Sequence, residues 1–180
     1  MNAVRKAWLG LGGNLGDPLA AMGQALVALN ERDDTRVTAV SPVYKTPPWG
    51  KTDQPSFYNA CAEVDTALAP EALLAACLDI EQQMKRQRLE RWGPRIIDID
   101  VLAYEGLDRF TSASLILPHP RMTERAFVLV PLGDIAPQLV VSGTSVADWA
   151  ARCDRTVRAS GLPPAIARGR RQTPPRAKTA

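Results

Sequence analysis

The chain has 180 residues, 46% hydrophobic and 23% charged, with a formal net charge of +3. That size and balance imply one compact domain and exclude wholesale disorder. No apolar run approaches the roughly 18 residues of a membrane span, and residues 1–11 are too short for a signal-peptide core, so a cytoplasmic protein with no membrane partner is expected.

The charge is divided unevenly. Residues 151–180 carry 8 basic residues and 1 acidic one, whereas residues 1–150 carry 14 basic and 18 acidic. The C-terminal stretch, with Pro163-Pro164, Pro174-Pro175 and Arg168-Gly169-Arg170-Arg171, has too little apolar content to order itself. The expected organisation is therefore a domain at 1–158 and a weakly ordered basic tail at 159–180. A nucleic-acid-binding arm is the competing reading of that tail, but the acidic balance of residues 1–150 argues against a nucleic-acid partner. Cys61, Cys77 and Cys153 show no C-x-x-C spacing and read as reduced packing residues.

Ala7 to Leu11 reads as a buried strand entering the turn Gly12-Gly13-Asn14-Leu15-Gly16. These glycines suggest either a phosphate-cradling loop or a plain strand-to-helix turn; the spacing fits neither G-x-G-x-x-G nor a P-loop. Asp17 is placed as an N-cap with Pro18 at the first helical position, and Leu19, Met22, Leu26 and Leu29 give the helix an apolar stripe ending near Asn30. Arg36 to Tyr44 is β-branched and predicts one strand, and Thr46-Pro47-Pro48-Trp49-Gly50 predicts a loop. Phe57 to Val64 alternates with a period of two, as a strand does. A second helix opens at Pro70 and runs to about Met84, followed by a basic loop and a strand from Ile96 to Ala103. Leu115 to Leu117 predicts a short strand before the turn Pro118-His119-Pro120. Thr123 to Val130 predicts a short helix ahead of Pro131, and Ser145 with Asp148 starts a last helix. The mixed order of elements points to an α+β sandwich with a mainly antiparallel sheet.

The chemistry concentrates in Arg91-Trp92-Gly93-Pro94-Arg95-Ile96-Ile97-Asp98-Ile99-Asp100. On a strand, Asp98 and Asp100 share one face while Ile97, Ile99 and Val101 take the other. Two neighbouring carboxylates repel unless a cation joins them, and hard oxygen donors on a rigid strand suit Mg²⁺. An edge strand with both aspartates in water is the plainer alternative. Lys85, Arg86, Arg88, Arg91 and Arg95 lie just upstream, and arginine binds phosphate oxygens as a fork. Together they describe a nucleotide triphosphate site beside a metal-binding pair. His119, the single histidine, sits between prolines near Arg121 and Arg125, and is either structural or a phosphate contact. Phe57 and Phe127 are either core aromatics or a clamp for a flat heterocycle, with Asn59 offering an amide donor and acceptor.

The sequence from Arg91 to Leu102 resembles the signature of the 6-hydroxymethyl-7,8-dihydropterin pyrophosphokinases. The likeness continues through Leu11-Gly12-Gly13-Asn14, Tyr44-Lys45-Thr46-Pro47-Pro48, Asp53-Gln54-Pro55, Asn59-Ala60 and Leu117-Pro118-His119-Pro120-Arg121-Met122. It implies a ferredoxin-like sandwich with helices on both faces of the sheet, acting in folate biosynthesis; a monomer is expected. The implied reaction moves pyrophosphate from ATP to the hydroxymethyl group of a reduced pterin and releases AMP. It further implies two Mg²⁺ ions on Asp98 and Asp100, with Arg86 and Arg95 stabilising the transferred group and Arg88, His119 and Arg125 helping to hold ATP. By the same resemblance Phe57 and Phe127 sandwich the pterin, Asn59 bonds its edge, and Thr46, Pro47, Pro48, Trp49 and Trp92 close around it.

Overall fold

The computed structural model describes residues 3–48, 53–84 and 95–153 and the backbone of 158–159. The basic loop at 85–94, including Arg86, Arg88 and Trp92, lies outside the described residues, as do Trp49 and most of the tail. In chain order β1 (Arg5–Gly13) is followed by α1 (Pro18–Asn30), β2 (Thr35–Val40), β3 (Tyr44–Thr46), β4 (Phe57–Thr66), α2 (Pro70–Gln83) and β5 (Asp98–Tyr104). A hairpin of β6 (Phe110–Thr111) and β7 (Ile116–Leu117) leads through a 3-10 turn at Met122–Glu124 to α3 (Ala126–Ile135). A second hairpin, β8 (Val140–Val141) and β9 (Thr144–Ser145), precedes α4 (Val146–Ala151), and the short β10 spans Arg158–Ala159.

The main sheet is antiparallel, in the order β10-β3-β4-β1-β5, with β2 also paired to β4. The succession β1-α1-β2-β4-α2-β5 with β1 between β4 and β5 is the ferredoxin-like arrangement. Leu9 and Leu11 of β1, Ala62 and Val64 of β4, and Ile99 and Val101 of β5 pack against Met22, Leu26 and Leu29 of α1 and Leu73, Cys77 and Ile80 of α2. On the other face, Trp8, Cys61 and Leu102 pack against Val128 and Leu132 of α3 and Val146 of α4. Helices thus cover both faces, as expected.

Local chemistry accounts for the boundaries. The Asp17 carboxylate accepts from Ala20 N–H at 3.0 Å, and Pro18 needs no hydrogen-bond partner in the first turn. Leu19 departs from the expected stripe and is 39% exposed, because the apolar line through Met22 steps back by four residues to the buried Pro18. Ser145 caps α4 by accepting from Asp148 N–H at 3.1 Å while its hydroxyl donates to the Asp148 carboxylate at 2.7 Å.

Four expectations need correction. The single strand expected over Arg36–Tyr44 is split into β2 and β3. Pro42 offers no N–H, and Ser41 steps out of the ladder, its N–H donating to Cys61 O and its Oγ accepting from Cys61 N, each at 2.9 Å. Thr46 belongs to β3, opposite Phe57, and not to the following loop. Pro131 lies inside α3 and does not end it. Burial of Val128, Leu129 and Leu132 outweighs the one backbone bond that proline cannot make. The regular part of β5 starts at Asp98, two residues later than expected, and contains a bulge. Leu9 pairs with Val101 and Trp8 with Ala103, leaving Leu102 as the extra residue.

Candidate active site

The strand register assembles the site. Gly12 stands opposite Asn59 on β4 and Asp98 on β5, and Gly10 stands opposite Cys61 and Asp100. Directly opposed residues share a face, so Asp98, Asp100 and Asn59 lie on the α3 side of the sheet. Because β1 carries glycine at both positions, a strip without side chains separates the β5 carboxylates from Asn59. A Cβ on Gly12 would stand 3.1 Å from Asn59 Oδ1. Neither open reading of the glycine-rich segment names this use: Gly10, Gly12 and Gly13 belong to β1 itself.

Gly13 serves a second contact. A Cβ there would lie 2.3 Å from the carbonyl oxygen of Ile96, so only glycine lets segment 95–97 lie against the end of β1. Asn14, itself buried, fastens that contact. Its N–H donates to Arg95 O at 2.9 Å, and its Oδ1 accepts from Arg95 N–H at 2.9 Å. Its amide Nδ2 donates to Gln54 Oε1 and Pro55 O, both at 3.1 Å. The end of β1, the 53–55 segment and the entry to β5 thereby form one block.

The ionic groups converge on this block. Arg95 Nη1 donates to Asp98 Oδ2 at 2.5 Å, and the Arg95 guanidinium lies 5.4 Å from the centre of the Phe57 ring. The Arg125 guanidinium lies 5.5 Å from the Phe127 ring. Burial lowers the Arg125 pKa, and the Asp100 and Asp98 carboxylates oppose that shift while Arg121 and Arg95 add to it. These couplings place Arg125 within the field of both aspartates. The turn carrying His119 follows a cis Leu117–Pro118 bond and docks on β5 through His119 N–H to Leu102 O at 2.7 Å. His119 Nδ1 accepts from Arg121 N–H at 3.2 Å, which assigns the proton of the neutral ring to Nε2.

On the β3 side, Asn59 Nδ2 donates to Thr46 Oγ1 at 2.9 Å, both groups being buried, and Pro47 and Pro48 continue from there. The structure therefore brings together Thr46, Phe57, Asn59, Arg95, Asp98, Asp100, His119, Arg125 and Phe127. Each phenylalanine is half-buried beneath an arginine of the cluster. Among the described residues no group of three or more His, Cys, Asp or Glu side chains is placed to hold a metal. The donor set is a carboxylate pair, which fits Mg²⁺, an ion that commonly takes one or two protein carboxylates and completes its shell with water and phosphate oxygens. Cys61 and Cys77 are buried thiols whose pKa values are raised chiefly by burial, in keeping with packing roles. Sequence reasoning singled out Gly12, Gly13 and Asn14 as a glycine-rich turn but not for these contacts, and it missed Glu81, whose signal was a charged residue on the apolar stripe of Leu73, Cys77 and Ile80.

His119 yields a pH prediction. Burial, then Arg125, lowers its pKa below the usual 6.5, with Arg121 adding to the shift and Asp98 opposing it. Below that value the unfolded chain binds the proton more readily, so stability is full above about pH 6.5 and declines as the pH falls further. The urea midpoint is expected to drop between pH 7.5 and 5.5, and the drop should shrink in His119→Asn. An equal drop in the variant would assign the effect to other groups.

Residues 8–137 match the model of the 7,8-dihydro-6-hydroxymethylpterin-pyrophosphokinase family. The chain is 51% identical over 151 residues to the 2-amino-4-hydroxy-6-hydroxymethyldihydropteridine pyrophosphokinase of Methylorubrum extorquens, covering 84% of this chain and 95% of that one. The Bacillus subtilis protein of the same name is 41% identical over 139 residues, covering 77% and 83%. Among solved structures, Plasmodium falciparum wild-type HPPK-DHPS with pteroate shares the fold with a TM-score of 0.65 at 17% identity, over 84% of this chain and 42% of that one. This chain thus spans less than half of that longer protein. The family match and the named relatives make the chain an enzyme, a pyrophosphokinase. More particularly, the chain belongs to the 7,8-dihydro-6-hydroxymethylpterin-pyrophosphokinase family.

Proposed function

We propose that the enzyme transfers the terminal pyrophosphoryl group of ATP to 6-hydroxymethyl-7,8-dihydropterin, releasing AMP, with two Mg²⁺ ions bound at Asp98 and Asp100. The observation that carries this reading is the bare glycine strip, which has carboxylates and guanidiniums on one side and Asn59 and Thr46 on the other. Mg²⁺ held there supplies Lewis-acid polarisation and neutralises phosphate charge.

The protein's own groups do the rest. Arg95 and Arg125 offer fixed positive charge to the triphosphate, and Arg95 Nε, buried without a hydrogen-bond partner among the described residues, has a donor to give to a phosphate oxygen. His119 donates from Nε2 to the nucleotide as a neutral ring. Phe57 and Phe127 stack on the pterin and Asn59 bonds its edge, which orients the hydroxymethyl oxygen for in-line attack on the β-phosphorus. Such transfer needs positioning and charge stabilisation and no covalent intermediate. Arg86 and Arg88 are assigned to the triphosphate, and Trp49 and Trp92 to closure over the pterin, by the family signature alone.

The test is AMP release from ATP and Mg²⁺ with and without the pterin. Pterin-dependent AMP supports the reading, whereas ADP formation or ATP binding without turnover overturns it. The domain is proposed to be complete once β10 is included, since Arg158 and Ala159 pair with Lys45 and Tyr44 of β3, next to Thr46. Truncation after residue 160 should leave the rate within about twofold, as expected if the basic, proline-rich sequence beyond it carries no site residue. A collapse of the rate would give the tail a role in turnover.

A further inference from the structure

Glu81 is 2% exposed near the C-terminal end of α2, and a buried carboxylate is costly unless it does something for its neighbours. Its Oε1 accepts the Ile99 N–H at 2.6 Å. Ile99 lies between Asp98 and Asp100 and stands opposite Leu11 on β1. Its N–H is given to Glu81, so it points away from β1 along the outer edge of β5. Ile99 is itself 2% exposed, so no bulk water satisfies that donor.

We propose that Glu81 is a positioning residue for the metal site: by holding the Ile99 N–H it fixes the β5 segment on which Asp98 and Asp100 are mounted, without itself ligating metal. Groups that orient metal ligands from behind are typically worth about 10- to 100-fold in metal affinity. This rests on the assignment of Asp98 and Asp100 as Mg²⁺ ligands. A structural role alone would show in stability, whereas a positioning role separates metal affinity from stability and is rescued by any side chain that keeps the acceptor.

The experiment measures Mn²⁺ affinity by paramagnetic resonance, with α,β-methylene-ATP present, in the full-length wild type, Asp100→Ala, Glu81→Met and Glu81→Gln. Methionine keeps the volume and removes the acceptor; glutamine keeps an acceptor oxygen. The expected result is a folded Glu81→Met with Mn²⁺ affinity down about 10-fold or more and Glu81→Gln retaining better than a tenth of wild-type affinity. Wild-type affinity in folded Glu81→Met overturns the proposal, as does a loss in Glu81→Gln equal to that in Glu81→Met. If Glu81→Met does not fold, Glu81→Gln decides: affinity above a tenth of wild type supports the proposal and a greater loss overturns it. Loss in Asp100→Ala but not in Glu81→Met removes this inference alone; no loss in Asp100→Ala removes the metal assignment and this inference with it.

Discussion

Asp100→Ala is expected to lower pterin-dependent AMP release at saturating substrates by about 10³-fold, equivalent to about 4 kcal/mol of barrier. Asp100 stands opposite Gly10 at the edge of the bare strip, where its charge sustains that of Arg125. Removing it takes away half of the carboxylate pair and leaves the half-buried Arg125 with less compensation. Helix content should not change, because the packing beneath β5 comes from Ile99 and Val101, which face α1 and α2. Steady-state rates alongside far-ultraviolet circular dichroism check this. A folded variant within tenfold of the wild-type rate would remove Asp100 from the metal site.

Gly13→Ala is expected to be as damaging by another route. The new methyl would sit 2.3 Å from Ile96 O, with backbone on both sides of the clash and no flexible side chain to yield. The 95–97 segment must move away, loosening the bonds from Asn14 N and Leu15 N to Arg95 O, now 2.9 and 3.1 Å. Such overpacking costs about 3 kcal/mol, or roughly 10 °C in melting temperature for a protein of this size. Since the same segment carries Arg95 into its bond with Asp98, a displacement of about 1 Å should also cost about 10²-fold in rate. Calorimetry and the AMP assay read the two effects separately. An alanine variant with wild-type melting and turnover would show that the contact is dispensable.

Most of the fold was legible because it is written in local patterns. The Asp17–Pro18 start of α1, the alternation along β4 and the shared face of Asp98 and Asp100 are short-range properties of dihedral preference and side-chain period. The misreadings are tertiary. Pro131 is tolerated in α3 because its neighbours bury against the sheet, and the break at Ser41–Pro42 exists because Ser41 turns its hydroxyl onto Cys61 of another strand. The site was legible where its residues have distinctive chemistry, as in the arginine–aspartate run. It was not legible where the contribution is an absent side chain: Gly10, Gly12 and Gly13 matter through what they leave room for, and only the register with β4 and β5 shows what that is. Glu81 carried a signal, but its meaning depended on knowing that Ile99 turns its N–H outward.

The two faces of the main sheet have separate duties. Among the described residues, the larger core beneath it, formed with α1 and α2, holds 20 buried residues, while the cluster above it holds 10. Selection can therefore act on them almost independently. On the proposed function, substitutions in the cluster above the sheet are expected to alter substrate choice or inhibitor affinity while the lower layer keeps the chain folded, so a lineage under drug pressure has room to change its chemistry before it loses its structure. The exceptions are Glu81, which reaches β5 from the lower layer, and the seam at Gly13 and Asn14, where scaffold and chemistry share the same atoms. An inhibitor that draws its affinity from that seam leaves the enzyme the fewest viable routes of escape.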